Sequence, residues 1–371
     1  MLSFDFQLRT RIIFGAGTVD RIGEMATELG AKRVLMVSDA GIVKAGHAPR
    51  GLASLAAAGI TTELFQDVHE NPSTLEVEKG VALAKAFQPD LLVGLGGGSS
   101  MDCAKGINFV YTGGGRMQDY WGTGKATKPM LPMIAVPTTS GTGSETQSFA
   151  LISDADTHVK MACGDKKASC RIAVLDPSLT VSQPARVTAV TGIDACAHAL
   201  ETYVTRVRTP ISLAYSREAW RLCSHNLPRV LEEPQDIDAR GGMHLGACLA
   251  GVAIENSMLG ATHACANPLT ARYGIVHGQA IAVMLPHVIQ FNAVEFEARY
   301  RELEPHGSAR LAERVSELAS QAGLSLRLRD LGVTEDSLAG MAAEAEKQWT
   351  GTFNPRPVKA PELLGLYHAA F

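Results

Sequence analysis

The stretch that decides the fold is DLLVGLGGGSS at residues 90–100, in which an apolar run passes directly into glycines and serines. Such a run is typical of a strand buried on both faces of a sheet. Similar runs are RVLMVSD (33–39), TTELF (61–65) and MIAVPTTSGTGSE (133–145), and helical stretches cover about 49–58 and 74–87. Strands that alternate with helices in this way predict βαβ units and a doubly wound parallel sheet.

The character of the sequence changes near DPSLTVSQPARV (176–187). Beyond it the patterns are helical, with many Ala, Leu and Glu residues and few β-branched runs. We therefore predict an α/β domain over residues 1–183 and an all-α domain over residues 184–371. Within the first domain, FALISDADTHVKMAC (149–163) predicts a hairpin that turns at residues 154–157.

Composition and charge exclude several classes of function. The formal net charge is −4, so the basic excess expected of a nucleic-acid or anionic-membrane binder is missing. No apolar run is long enough to predict a membrane-spanning helix, and the N-terminal residues lack the order of a signal peptide. The seven cysteines form no CxxC pair, which argues against a disulfide framework or a zinc knuckle. We expect a cytoplasmic protein with reduced cysteines.

The glycine loop GLGGGSSMDCAK (94–105) predicts an anion-binding turn between a strand and a helix. Glycines let the backbone approach a ligand, and free N–H groups at a helix start can bind a pyrophosphate. We expect Ser99 to cap the helix and Asp102 to be the acid of a capping box. The loop is neither a Walker motif nor the usual dinucleotide fingerprint after the first strand. A tight turn without a ligand stays open as the alternative.

Two further features favour a bound nucleotide. Asp39 ends the run at 33–39, where an acid can accept hydrogen bonds from a ribose and would repel a 2′-phosphate. This favours NAD over NADP, although Asp is also a common turn former. PTTSGTGSE (137–145) offers hydroxyls and glycines that can surround a flat polar ring, and a simple surface turn is the alternative.

One carboxylate and one imidazole share a helical stretch in TGIDACAHALETYV (191–204). Asp194 and His198 are four residues apart, so a helix projects both from one face, and Glu201 falls one turn further along. Their neighbours are apolar, and a buried charge needs a partner. His198 itself could be that partner, in a self-contained Asp–His hydrogen bond. The alternative is a metal ion bound by both side chains.

Two more histidines complete a set that suits a metal ion. His263 ends GACLAGVAIENSMLGATH (246–263), which we expect to be one close-packed helix. His277 follows at a turn before an apolar helix. With Asp194 and His198 they give three nitrogens and a carboxylate, a set that suits Zn²⁺ or Fe²⁺ far better than Ca²⁺ or Mg²⁺.

Five motifs, in order, resemble the iron-containing (group III) alcohol dehydrogenases: GGGSSMDCAK, PTTSGTGSE, DPSLT, GIDACAHALE and the VHG turn before LPHVIQFN. The likeness runs from RIIFGAG to NPRPV and so covers nearly the whole chain. The chain looks like a member near the lactaldehyde reductase and 1,2-propanediol oxidoreductase branch. The resemblance implies a Rossmann-like N-terminal domain, an all-helical C-terminal domain, and NAD in the cleft between them close to a divalent metal ion. It also implies a homodimer or larger homo-oligomer.

The resemblance assigns roles to residues at matching positions. The implied metal ligands are Asp194, His198, His263 and His277. The implied pyrophosphate site is formed by Gly97, Gly98 and Ser99. The other implied cofactor residues are Asp39 and Asn71 on the adenosine side, Thr138, Thr139, Thr142 and Lys160 near the nicotinamide half, and Leu179 lining the pocket.

Asn267 departs from the family pattern. Many relatives have a histidine there, near the nicotinamide, where it can relay a proton. Asn can form hydrogen bonds but cannot titrate near neutral pH. The proton path and the preferred substrate are therefore expected to differ here, whereas the metal site is kept. We predict catalytic roles for His277 and Asn267.

The predicted function is an NAD-dependent and metal-dependent alcohol dehydrogenase, or aldehyde/ketone reductase, that acts on a small alcohol. The family indicates Fe²⁺ as the ion, with Zn²⁺ as the second choice. One alternative is a dehydroquinate-synthase-like lyase, which would need a basic cluster where the sequence places only Arg206 and Arg272. The other is a non-catalytic protein with a structural metal ion.

Overall fold

The computed structural model describes residues 3–371, which form two compact units. The first, the α/β unit, consists of Gln7–Thr139 and Gly143–Gln183. The second, the helical unit, consists of Pro184–Phe371 together with residues 3–6 and Ser140–Thr142. The helical unit is therefore mostly C-terminal but also includes residues 3–6 and a short internal segment of the sequence.

A six-stranded sheet, parallel throughout, forms the centre of the α/β unit. Its order is β1-β9-β6-β4-β2-β3, from the strands β1 (Arg11–Phe14), β2 (Arg33–Val37), β3 (Thr61–Phe65), β4 (Leu91–Gly96), β6 (Met133–Pro137) and β9 (Ile172–Leu175). β4 and β6 are buried along their whole length, which explains why their sequences are continuous apolar runs. The predicted doubly wound parallel sheet is confirmed.

Helices cover both faces of this sheet. They are α1 (Ile22–Glu28), α2 (Ala40–Lys44), α3 (His47–Ala57), α4 (Thr74–Phe87) and α5 (Gly98–Gly113). Alternate residues of β2 enter two different cores: Leu35 packs in one and Met36 in the other. The two-residue period of a strand thus divides the apolar residues of this unit between two layers.

A smaller three-stranded sheet has the order β5-β8-β7 and consists of β5 (Gly122–Thr123), β7 (Phe149–Ser153) and β8 (Lys160–Gly164). β7 and β8 pair antiparallel, as the predicted hairpin requires. Asp154 closes the turn between them, since its carboxylate accepts hydrogen bonds from the backbone N–H groups of Asp156 and Thr157. The predicted hairpin and the position of its turn at residues 154–157 are therefore confirmed.

The helical unit contains no strand within the residues that the structure describes. Its helices are α6 (Ala185–Val204), α7 (Pro210–Glu232), α8 (Ile237–Glu255), α9 (Ala261–Tyr273), α10 (His277–Arg301), α11 (Ser308–Gln321), α12 (Leu338–Ala345) and α13 (Ala360–Ala370). They share one apolar core. None of the helices in residues 3–371 has the length and the apolar character needed to cross a membrane.

The single helix predicted for residues 246–263 is wrong. α8 ends at Glu255, and α9 begins six residues later with Ala261. The side chains of Asn256 and Ser257 bond back to the carbonyls of Val252 and Ala253, which satisfies the last turn of α8. His263 therefore lies in the first turn of a new helix rather than at the end of an old one.

Candidate metal centre and nucleotide loop

Asp194 and His198 project from α6, which is buried on nearly all sides along its second half. The chain continues as helix because Ala, Leu and other good helix formers surround the two polar residues. His198 Nε2 lies 3.4 Å from Asp194 Oδ1, across one helical turn. The predicted pair therefore exists, and its shared face is buried.

Two further histidines converge on the same carboxylate oxygen. His263, in the first turn of α9, places its Nε2 3.5 Å from Asp194 Oδ1. His277, the first residue of α10, places its Nε2 3.8 Å from the same atom. The rings of His198 and His263 stack with their centroids 4.9 Å apart. Three Nε2 atoms from three helices thus face one oxygen.

The unsatisfied atoms of this cluster fit a bound cation. Asp194 Oδ1 and His263 Nε2 are buried, and neither has a hydrogen-bond partner among residues 3–371. Asp194, His263 and His277 each offer a ligand atom, and these atoms lie within 4.8 Å of one another. Leaving Asp194 Oδ1 and His263 Nε2 unpaired is costly, and a divalent ion bound between them would satisfy both. An N/O set of this kind suits Zn²⁺ or Fe²⁺.

In His198 and His263, the ring nitrogen that faces away from Asp194 already has a hydrogen-bond partner. His198 Nδ1 lies 3.2 Å from the carbonyl oxygen of Gly141, which belongs to the same unit. His263 Nδ1 lies 2.6 Å from Glu201 Oε2. A carbonyl or carboxylate can only accept, so both Nδ1 atoms carry the proton. Both Nε2 atoms are then available to an ion, which is the usual arrangement of metal-binding histidines.

Charge and burial oppose each other in the cluster. Burial alone would raise the pKa of Asp194, but the neighbouring histidines outweigh it and hold that pKa below its usual range. Burial likewise lowers the pKa of His198. At His263 burial is outweighed by Glu201 and Asp194, which raise its pKa to about 9. An ion bound by this cluster would therefore compete with protons for His263.

The cluster is accessible on one side. The His277 side chain is 34% exposed, against 6% for His198 and for His263.

Asn267 lies one turn beyond His263 on α9 and is half-buried. Its Nδ2 donates a hydrogen bond to Gln348 Oε1 at 2.9 Å. The amide of Gln348 therefore holds the side chain of Asn267 in place.

The glycine loop joins β4 to α5 without a side-chain cap. Gly97 is the N-cap residue and α5 begins at Gly98, so Ser99 lies inside the helix. The predictions that Ser99 caps the helix and that Asp102 completes a capping box are wrong. Asp102 is buried instead, where it accepts hydrogen bonds from Ser144 Oγ at 2.6 Å and from Leu151 N at 3.2 Å. The uncapped N–H groups of α5 remain available to an anion.

Several predicted cofactor residues surround this loop within the α/β unit. The backbone N–H of Asn71 donates to Ser99 Oγ at 3.3 Å, and Lys160 Nζ donates to Asn71 Oδ1 at 3.0 Å. Ser100 Oγ donates to Asp39 Oδ2 at 3.3 Å. Asp39 also caps α2 by accepting from Ile42 N, so its role as a turn former is real. That bond uses Oδ1 and does not exclude a nucleotide contact.

The predicted cofactor residues of the segment 137–145 and Leu179 lie in different environments. Thr138 Oγ1 is buried at the end of β6 and has no hydrogen-bond partner within residues 3–371, which fits a polar ligand. Thr139 follows it, and a Cβ added to Gly97 would lie 3.5 Å from Thr139. Thr142 belongs to the helical unit. Leu179 is fully buried in one of the apolar cores of the α/β unit.

Comparisons with known families and structures match both halves of the chain. The family profile "Iron-containing alcohol dehydrogenase" matches residues 9–177, and "Fe-containing alcohol dehydrogenase family, C-terminal" matches residues 188–371. The chain belongs to the iron-containing alcohol dehydrogenase family. The family and the activity class that the motifs predicted are therefore confirmed.

Relatives in this family match over almost their full length. The NAD-dependent methanol dehydrogenase of Bacillus methanolicus is 34% identical, with 95% of each chain covered. The 1,3-propanediol dehydrogenase of Klebsiella pneumoniae is 32% identical, with 99% of each chain covered. A crystal structure of 1,3-propanediol oxidoreductase superimposes with a TM-score of 0.95 at 33% identity and covers 100% of each chain.

Membership of the iron-containing alcohol dehydrogenase family makes the chain an alcohol oxidoreductase and favours the dehydrogenase over the lyase alternative. The predicted cofactors, NAD and one divalent metal ion, agree with the family and with these relatives. Arg272, one of the two basic residues that the lyase would have used, is paired with Glu344 at 2.6 Å. The more specific branch stays a prediction.

Sequence reasoning missed Glu201 and Gly141 as partners of the histidines. Glu201 carried a usable signal, because it is an acid one turn beyond His198 on a stretch predicted to be buried. Gly141 carried none, since its contribution is a backbone carbonyl oxygen and any residue type has one. The contact depends on where the chain passes, which is a property of the fold.

Proposed function

We propose that the protein is an NAD-dependent alcohol dehydrogenase of small alcohols, with a divalent ion held by Asp194, His198, His263 and His277. The observation that carries this proposal is the convergence of three Nε2 atoms on Asp194 Oδ1, at 3.4 to 3.8 Å. When bound, the ion supplies Lewis-acid polarisation of the substrate oxygen, and NAD accepts the hydride.

The residues of the cluster have separable roles. Asp194 is the only carboxylate of the proposed ligand set, so a divalent ion keeps a net positive charge that favours negative charge on the substrate oxygen. His198 and His263 are held rigidly through Nδ1. His277 is the exposed member of the set, and we place the substrate on its side. A substrate oxygen bound on that side would lie near His277, which is the basis of its proposed catalytic role.

The nucleotide is proposed to bind through the backbone N–H groups of Gly98 and Ser99 at the start of α5. The glycine at position 97 leaves room in front of them, and the helix dipole favours the pyrophosphate. Asp39 would accept hydrogen bonds from a ribose and repel a 2′-phosphate, which favours NAD over NADP. Lys160 and Asn71 are already joined to each other and to Ser99 beside this loop.

A small substrate agrees with the names of the relatives, which act on methanol and on 1,3-propanediol. The test is an NADH-absorbance assay over short alcohols, diols and hydroxy acids. It uses metal-free protein reloaded with Fe²⁺ or Zn²⁺ and compares NAD⁺ with NADP⁺. We expect turnover only with an ion and a clear preference for NAD⁺. Normal turnover by metal-free protein would contradict the proposal.

Asn267 is proposed to shape the pH dependence of the reaction. Replacing Asn267 with His puts a group with a pKa of about 6.5 one turn beyond His263. We expect the kcat of the variant to show an ionisation near neutral pH that the unmodified protein lacks. Asn267→Ala, which cannot titrate, is the matched control and should keep the original profile. If the histidine variant also keeps it, the residue has a packing or substrate-shape role.

We also propose a homodimer or larger homo-oligomer located in the cytoplasm. β1 is an edge strand of the sheet, and the nearby Leu8 and Phe14 side chains are 44% and 47% exposed. Exposed apolar side chains beside an open strand edge favour association. All seven cysteines are buried free thiols, which a reducing compartment would keep reduced. Light scattering should give a mass of at least twice 39.4 kDa, and a monomer would contradict the assembly.

A further inference from the structure

Glu201 is a buried carboxylate outside the proposed ligand set. It lies on α6, one turn beyond His198, and is 4% exposed. All three of its polar contacts come from the start of α9. Oε1 accepts from Thr262 N at 2.6 Å, and Oε2 accepts from Gly260 N at 3.1 Å and from His263 Nδ1 at 2.6 Å.

Two of these contacts cap a helix that has no cap of its own. Gly260 is the N-cap residue of α9 and provides no side chain, so the first N–H groups of α9 need another acceptor. Glu201 accepts from two of them, and Asn354 Oδ1 accepts from Ala261 N at 3.2 Å. A carboxylate is well suited to this position, because the helix dipole favours negative charge at a helix start.

The third contact sets the orientation of a proposed ligand. Because Glu201 accepts from His263 Nδ1, it fixes the proton on that nitrogen and turns Nε2 toward Asp194. His198 receives weaker help, from a neutral carbonyl at 3.2 Å. Glu201 therefore joins the helix that carries Asp194 and His198 to the helix that carries His263.

We propose that Glu201 is the positioning residue of the metal centre, which holds the start of α9 and the His263 ring so that Nε2 is presented to the ion. This inference rests on the proposed function. All three of the groups that donate hydrogen bonds to Glu201 are N–H groups, so both of its oxygens must act as acceptors. Glutamine has the same shape as glutamate, but one of its two oxygens is replaced by an NH₂ group. In either orientation of the amide, this NH₂ group would face an N–H donor, with which it cannot form a hydrogen bond.

The decisive variant is Glu201→Gln. We expect it to weaken Zn²⁺ binding roughly 10- to 100-fold, measured by competition with a chromophoric chelator, because orienting partners of metal ligands have effects of this size. The Co²⁺ absorption spectrum should also change, since the geometry at His263 is loosened. NAD binding, followed separately, should stay unchanged.

The matched control is Asp236→Asn. Asp236 caps α8 in the same unit by accepting from Ala239 N at 2.9 Å, and the substitution removes the same charge. It should lower the melting temperature but leave the Zn²⁺ affinity within about twofold. If both variants weaken Zn²⁺ binding equally, the effect is one of general stability and the proposal is overturned. An unchanged affinity in Glu201→Gln overturns it as well.

A measurement on the unmodified chain does not depend on the folding of any variant. In Zn²⁺-loaded protein labelled with ¹⁵N-histidine, His263 should show a protonated Nδ1 and a metal-bound Nε2. A metal-bound Nδ1 would overturn the proposal. If the proposed function itself were wrong, the unmodified protein would bind Zn²⁺ no better than a His263→Ala variant. That result is distinguishable from a failure of the Glu201 proposal alone.

Discussion

His263→Ala is expected to remove the tightly bound metal ion and to lower kcat/KM by roughly three orders of magnitude, since metal ions stabilise transition-state charge by several kcal/mol. The substitution deletes the only ligand that α9 contributes and leaves Glu201 without its imidazole donor. Metal content by elemental analysis and steady-state kinetics measure the two effects. NAD binding should persist, because the proposed pyrophosphate loop lies in the α/β unit.

The control for this prediction is His287→Ala. His287 is a half-buried histidine on α10, and it lines a groove with residues of α11 that include Glu313 and Ser316. Burial lowers its pKa, and it is not one of the proposed ligands. Metal content and turnover should stay within about twofold. If His263→Ala also retains its ion, the proposed ligand set is wrong.

Gly97→Val is expected to raise the dissociation constant for NAD by at least about 100-fold while the protein still folds. Gly97 has φ −74° and ψ −174°, which valine adopts without strain, and an added Cβ makes only an ordinary contact with Thr139 at 3.5 Å. The branched side chain would fill the space in front of the first N–H groups of α5, where the pyrophosphate is expected.

Fluorescence titration with NADH measures this effect. Zn²⁺ affinity and melting temperature serve as internal controls, since neither depends on a bound nucleotide. Gly96→Val is an instructive comparison, because Gly96 has φ 154° and an added Cβ would lie 2.3 Å from Ser100 Oγ. That variant should unfold more readily, whereas Gly97→Val should not. Undiminished NADH binding by Gly97→Val would place the cofactor elsewhere.

Much of the fold could be predicted because local signals agreed with the tertiary environment. β4 and β6 are apolar throughout and are buried on both faces. α4 covers the predicted residues 74–87 and begins after Ser73, which forms a capping box with Glu76. At these places propensity, pattern and capping chemistry all favour the same structure.

The errors arose where long-range contacts replaced local ones. Ser99 and Asp102 have the spacing of a capping box, but Ser144 and Leu151, more than forty residues away, bind Asp102 instead. The break between α8 and α9 was missed because the acceptor for the start of α9 is Glu201, some sixty residues upstream. A helix boundary determined by a distant side chain leaves no signature in its own segment.

The short segment Ser140–Thr142 has a consequence for modularity. It lies in the middle of the sequence of the α/β unit but belongs with the helices, and the carbonyl of its Gly141 binds His198. A fragment cut at Pro184 would contain all four proposed ligands and yet lack the oxygen that orients one of them. Chimeras that exchange C-terminal halves between family members should therefore transfer this tripeptide as well, because the boundary between the two units is not one point in the sequence.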